Sequence, residues 1–299
     1  MTATSMTTAP VTASSPNSAP RRRRGGSRIG RAGLPTYLIA LVFIAICIGP
    51  MLYIILGGFR TNAQITANPS GFPSPWQMQN YAEVLQSPIF WRQVSNSVIC
   101  ATFTAVGVVV LGLMASYVLA RYQFTGRGAM YSLFAAGLMF PITVAITPLY
   151  IMIRGLGLTN SLAGVILPQI AFGLPTTIII LVPFLRAIPK ELEEAAAMDG
   201  ASRLGFFFRM VVQLSLPGVV TTGILAFIAS WNSYMLPLFI LNNESSYTLP
   251  LGVQSFASQY SVDTARVLAF TSLSMVPAVI FFLIFQRRIV GGLTGAVKG

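Results

Sequence analysis

The stretch GLGLTNSLAGVILPQIAFGLPTTIIILVPFL, Gly155 to Leu185, runs 31 residues between Arg154 and Arg186 without one ionisable side chain. About 20 apolar residues cross a bilayer core as a helix, and a charge at its centre costs several kcal/mol, so this window reads as a membrane span. Measuring the other uncharged stretches the same way finds five more spans: Ala32 to Phe59, Gln93 to Ala120, Gly128 to Ile153, Met210 to Asn243 and Val267 to Gln286. A further uncharged window, Thr61 to Ala82, reads TNAQITANPSGFPSPWQMQNYA; its prolines, asparagines and glutamines make it an extramembrane loop. The fold class is therefore an all-α membrane protein of six transmembrane helices, with both termini on one side.

The composition agrees. Of 299 residues, 54% are hydrophobic and 9% charged, against roughly 25% charged in an ordinary soluble domain. The 19 basic and 7 acidic residues give +12, a balance that in a soluble protein would raise nucleic acid as a partner. Their placement says otherwise. With the N-terminus cytoplasmic, that side holds Arg21 to Arg24, Arg28, Arg31, Arg121, Arg127, Arg186, Lys190, Arg203, Arg209, Arg287, Arg288 and Lys298, and only Arg60, Arg92, Arg154 and Arg266 lie opposite. The asymmetry gives an N-in, C-in topology, and the positive charge is a topology signal.

Residues 1–35, rich in Thr, Ser, Ala and Pro with one basic run, read as a disordered cytoplasmic tail held at the anionic inner leaflet. A secretory signal is set aside because the apolar run that follows is long and lacks a small-x-small cleavage site. Residues 36–290 form the transmembrane domain, with a cytoplasmic loop at about 187–212, and residues 291–299 a cytoplasmic C-terminal tail. Pro50, Pro141, Pro148, Pro168, Pro175, Pro237 and Pro277 fall at membrane depth, where a freed carbonyl needs a neighbouring helix or a wet cavity. Pro168, Pro175 and Pro183 in one span predict a bent helix.

Several chemistries are excluded. With no histidine there is no zinc-hydrolase motif and no Ser-His or Cys-His nucleophile pair. Cys47 and Cys100, each inside an apolar run, read as small hydrophobes rather than a disulfide or a metal site. The spans contain no acid, which disfavours a proton-coupled carrier and leaves sodium coupling through hydroxyls and carbonyls open. A phosphate-cradling GxxxxGK[ST] loop cannot be built, because the lysines are Lys190 and Lys298, followed by Glu191 and Gly299.

Four of the seven acids, Glu191, Glu193, Glu194 and Asp199, crowd into the cytoplasmic connection after the fourth span, IPKELEEAAAMDGASRLGFFFRMVVQLSLPG, Ile188 to Gly218. Pro189 suits a helix's first position, early acids favour its dipole, Gly200 suits its stop, and Ser202 can cap a second helix. Ala195, Ala196 and Ala197 leave a nearly flat face. The segment reads equally as a helix made for a partner's groove and as an amphipathic loop resting on the membrane surface.

Glu194-Ala195-Ala196, three residues, then Gly200 resembles the E-A-A-x-x-x-G loop of permease subunits in binding-protein-dependent ABC importers. The extended run Glu191 to Ala201 is similar to the carbohydrate-uptake branch. The tail Gln286 to Gly299 is similar to that of the second permease of maltose-type systems, as are Ala115 to Tyr122 and Ser230-Trp231-Asn232. The resemblance covers about residues 35 to 299. It implies a type I importer half: six spans pairing with a homologous second permease, two ATPase subunits that hold ATP and Mg, and an extracytoplasmic sugar-binding protein. It implies that the chain itself is no enzyme, binds no cofactor or metal and no nucleic acid, and sits with membrane lipid in a bacterial cytoplasmic (inner) membrane. It assigns coupling to the ATPase to Glu194, Ala195, Ala196, Asp199 and Gly200, an ATPase contact to the tail at Gly295, Val297, Lys298 and Gly299, and a binding-protein contact to the external loop Asn242 to Arg266. Two departures stand out: Gln213 replaces the motif's later proline, with Pro217 four residues on to take over the bend, and Ser233 replaces an acid that often follows Trp-Asn.

Uncharged spans suit a sugar, which needs hydroxyl-matching donors and aromatic faces but no counter-charge. Asn96, Gln169, Trp231 and Asn232 are the candidates along the translocation path. Trp231 serves equally as packing, and Asn96 equally as a bridge between helices. Glycerol phosphate esters, another polar solute, or a sodium-coupled carrier are the alternative readings.

Overall fold

Spanning segments must satisfy their own backbone hydrogen bonds where no water reaches them. The computed structural model describes residues 34–256 and 263–297, and all regular structure among them is helical. In chain order the helices are α1 (Leu34–Gly57), α2 (Asn62–Ala67), α3 (Gln79–Gln86), α4 (Pro88–Arg121), α5 (Arg127–Gly137), α6 (Ile142–Gly155), α7 (Leu162–Arg186), α8 (Lys190–Met198), α9 (Arg203–Phe206), α10 (Val212–Leu214), α11 (Leu216–Trp231), α12 (Met235–Ile240), α13 (Leu249–Gly252) and α14 (Thr264–Val297). A π turn, Phe207–Val211, joins α9 to α10. The chain divides after Cys47; the second unit, from Ile48 onward, holds every element after α1.

Four spans are unbroken: Thr36–Gly57 of α1, all of α4, all of α7, and Thr264–Gln286 of α14. The other two are bent pairs, α5 with α6 at 101° and Arg203–Leu214 with α11 at 75°. Counting each bent pair as one span gives six, the number of uncharged windows.

The centre is built on α4, which packs against α7 and α11. Helices in lipid gain no hydrophobic energy from meeting, so close approach rests on small residues. Along the α4–α7 seam Gly107 faces Ile170, Gly173 faces Val108 and Gly112 faces Thr177. A Cβ added at Gly173 would stand 2.6 Å from the Val108 Cγ2, closer than two carbons approach.

Both sharp bends fall beside prolines that the sequence singles out, Pro141 and Pro217. α7 carries Pro168, Pro175 and Pro183 and still runs unbroken, held along its length by α4. One bend falls where Pro141 forces extended backbone ahead of α6. The other falls at Ser215, whose buried hydroxyl donates to the Val211 carbonyl at 2.6 Å in the manner that bends helices. Pro217 then opens α11. The fifth window also differs: its helix stops at Trp231, and α12 turns back against α6 and α7. Asn160, in the left-handed region at φ 53°, holds that return, donating its N–H to the Ile240 carbonyl (2.8 Å) and accepting the Asn242 and Asn243 N–H groups on its side-chain oxygen (3.1 and 3.0 Å).

The loop after α1 is ordered around Arg60, which is 2% exposed. Its guanidinium donates to the carbonyls of Gln64, Asn68 and Pro69, the end of α2, where a cation is favoured. Thr61 and Gln64 form a capping box at the start of α2, and Asn80 ties α3 to the Gly58 and Arg60 carbonyls at 2.9 Å each. Glu83 on α3 pairs with Arg266 on α14 at 2.6 Å.

Candidate functional site: a neutral cavity and a cytoplasmic helix

The connection after α7 folds as its sequence predicts, as two short helices meeting at Asp199 and Gly200. α8 starts at Lys190, directly behind Pro189, with Glu191 and Glu193 in its first turn. It stops in a paired C-terminal motif: the Ala201 N–H reaches the Ala196 carbonyl (2.9 Å) and the Gly200 N–H the Ala197 carbonyl (3.1 Å), with Gly200 at φ +79°. Ser202 caps α9, its oxygen accepting the Gly205 N–H at 3.1 Å.

Successive helix residues are turned by about 100°, so three consecutive alanines cannot share one face. The flat face expected from Ala195, Ala196 and Ala197 is accordingly divided. Ala196, 9% exposed, points inward with Leu192 onto Leu181, Leu185, Ile188, Phe206, Phe207 and Val211, while Ala195 and Ala197 face out. The outer surface carries Glu191, Glu194, Asp199 and Met198, the last 88% exposed, and continues into Leu204 and Phe208. Acidic and apolar side chains thus share one exposed surface of a helix whose other side rests on an aromatic core.

Between α4, α6, α7 and α11 lies a half-open cavity of about 360 Å³, inside the range of small-molecule sites. Its polar lining consists of Gln169 and the hydroxyls of Thr104, Thr176, Thr177, Thr222, Ser230 and Ser233, with no ionisable residue. Gln169 gathers three helices: its Oε1 accepts hydrogen bonds from Thr104 of α4 at 3.0 Å and from Ser230 of α11 at 2.6 Å. Thr222 turns its hydroxyl back to the Gly218 carbonyl at 3.1 Å, which settles it within its own helix.

The four candidates along the path occupy different places. Gln169 lines the cavity. Asn96 donates to the Ser245 and Tyr247 carbonyls (2.9 and 3.0 Å), fastening α4 to the external loop. Trp231 is buried against Phe90, Ala101, Leu249 and Phe270, and with Asn232 it edges a separate groove between α11 and α14. Asn232 donates to the Ile228 carbonyl at 3.0 Å. Gly295 and Val297 fall in the last turns of α14, whereas Lys298, Gly299 and the basic N-terminal run lie outside the described residues. Cys47 and Cys100 are both free. The hydroxyls of Thr104, Thr176, Thr177, Thr222, Ser230 and Ser233 do not stand out as path residues in the sequence. The only signal there is their position beside Gln169 and Trp231 inside otherwise apolar spans.

Apolar helices long enough to cross a membrane, a neutral, solute-sized cavity between four of them and a short acidic helix beside them are the architecture of a membrane transport protein. Residues 109–293 match the family described as binding-protein-dependent transport system inner membrane component, and the chain belongs to it. It is similar to a diacetylchitobiose uptake system permease protein of Streptomyces coelicolor, 32% identical over 91% of each chain. It is also similar to a trehalose transport system permease protein of Mycobacterium tuberculosis, 40% identical over 76% of this chain and 84% of the relative. Among solved structures, a chain of a bacterial ABC transporter that imports the acidic polysaccharide alginate shares the fold, with a TM-score of 0.73 at 21% identity over 85% of this chain and 95% of that one.

Proposed function

We propose that this chain is the transmembrane subunit of an ATP-driven importer of a neutral di- or oligosaccharide, one half of a translocation pathway in a bacterial cytoplasmic membrane. The observation that carries the reading is the cavity between α4, α6, α7 and α11, whose polar lining is a glutamine and six hydroxyls and contains no charge. Such a lining matches the hydroxyls of a sugar and offers no counter-ion to a phosphate ester. Relatives named for diacetylchitobiose and trehalose transport support the same solute class.

The partners are a homologous second permease, two ATPase subunits carrying ATP and Mg, and an extracytoplasmic sugar-binding protein. α8 is the coupling helix, presenting Glu194, Ala195 and Asp199 to an ATPase cleft, while Ala196 seats the helix on its own bundle and Gly200 stops it. Gly295, Val297, Lys298 and Gly299 extend towards the same partner. In the path, Gln169 contacts the solute, and Asn96, Trp231 and Asn232 frame the external half. Closure of the ATPases moves α8, the bent spans transmit the motion, and the cavity alternates its opening between the two faces.

The test is uptake by proteoliposomes holding the complex with its co-purified ATPase and binding protein. Radiolabelled trehalose and diacetylchitobiose are offered beside glycerol 3-phosphate. ATP-dependent accumulation of a disaccharide, lowered about tenfold or more by Gln169→Leu, is the expected result. Uptake driven by a sodium gradient without ATP, or selective uptake of the phosphate ester, overturns it.

A further inference from the structure

Arg121 ends α4 with only 4% of its side chain exposed, and its Nε and Nη2 have no hydrogen-bond partner among the described residues. A guanidinium stays charged at any accessible pH, and a buried charge left without a partner is among the more destabilising arrangements a fold can hold. The end of α4 does not use it, because Arg127 already donates to the Leu119 carbonyl at 2.8 Å and the Ala120 carbonyl at 3.5 Å. Of the acids on α8, Glu193 alone approaches, with its Oε2 3.9 Å from the Arg121 Nε. That separation is about 1 Å longer than a charge-assisted hydrogen bond.

Glu193 and Glu194 therefore face different directions. Glu194 lies on the exposed surface, while Glu193 is turned towards the bundle. The surroundings are aromatic: Tyr117 packs edge-on against Tyr122 at 5.7 Å and tilted against Phe207 at 5.0 Å, and Arg203 lies over the Tyr122 ring at 5.7 Å. A small approach of α8 would close the remaining gap.

We propose that Arg121 is a positioning residue that clasps α8 to the end of α4 through Glu193, and that the clasp tightens to direct N–H···O contact when a partner presses α8 towards the bundle. The inference rests on the reading of α8 as the coupling helix. It gives the two neighbouring acids separate roles, in which Glu194 meets the partner and Glu193 passes the displacement to α4.

Hydrogen exchange of the full chain in lipid nanodiscs tests the clasp. Arg121→Gln and Glu193→Gln are each expected to speed exchange of amides 191–198 about tenfold. The double variant should be no faster than Arg121→Gln alone, and the exchanged pair Arg121→Glu with Glu193→Arg should regain much of the protection. Arg121→Lys, which keeps the charge, provides the measurement if the glutamine variant does not insert. Additive single effects, unchanged exchange, or an exchanged pair no better than the singles overturns the clasp. Hydrolysis of ATP by the assembled complex reports separately on α8. If exchange changes as described while stimulation by the binding protein is unaltered, the clasp stands and the coupling role of α8 falls.

Discussion

At the external face the buried Arg60 guanidinium is met by three backbone carbonyls; at the cytoplasmic face the buried Arg121 guanidinium is met by one carboxylate, held off at 3.9 Å. Carbonyls at the end of α2 belong to the same short stretch of chain as Arg60, so that region is closed on itself and has one arrangement. Glu193 belongs to α8, a separate element that follows α7, so Arg121 meets its carboxylate across a packing contact and not within its own stretch of chain. The loop after α1 meets its buried charge with its own backbone, whereas on the proposal above α8 closes onto α4 only when a partner presses on it. On that proposal the two buried arginines mark a fixed end and a working end.

The largest expected effect tests the fixed end. Arg60→Ala leaves three carbonyls unmet beneath a void and should destabilise the protein by about 3–5 kcal/mol, seen as a lower melting temperature in detergent and rapid proteolysis between residues 62 and 78. A loss under about 1 kcal/mol would show that α2 and α3 hold the loop without it. Next, Gly200→Val places a branched side chain at φ +79° and should weaken the stop of α8 by about 1–2 kcal/mol, read as faster amide exchange at residues 196–201 with residues 61–86 unchanged. Exchange that rises at both ends together would erase the distinction between them. Ser202→Ala removes the α9 cap and should cost about 1 kcal/mol, again confined to the cytoplasmic segment. Smallest in stability is Glu194→Lys, within about 0.5 kcal/mol of the parent because the side chain is exposed, yet it should abolish co-purification of the ATPase. Retained co-purification would remove Glu194 from the working surface.

What the sequence made legible was local. The proline before α8, the glycine stop and the Ser202 cap each depend on residues within a few positions, and the structure has all of them. Arg60 reads in the sequence as a charge on the sparsely basic side; its carbonyl partners lie within ten residues, but only the folded loop turns them towards it. The Gln169 cluster depends on Thr104 and Ser230, 65 and 61 residues away, and hydroxyls in a span look alike until packing shows which turn back to their own helix. The three prolines of α7 leave its helix unbroken, and what the sequence alone does not show is that α4 packs along it.

The glycine seam between α4 and α7 has a mechanical meaning. Surfaces interlocked at Gly107, Gly112 and Gly173 cannot slide past one another without lifting apart, so the two longest central helices behave as a single plate. Rotation has to be taken up at the plate's edges, where Pro141 and Ser215 already break the neighbouring spans. If the chain moves as proposed above, the bends are the axles and the seam is the part that must not turn.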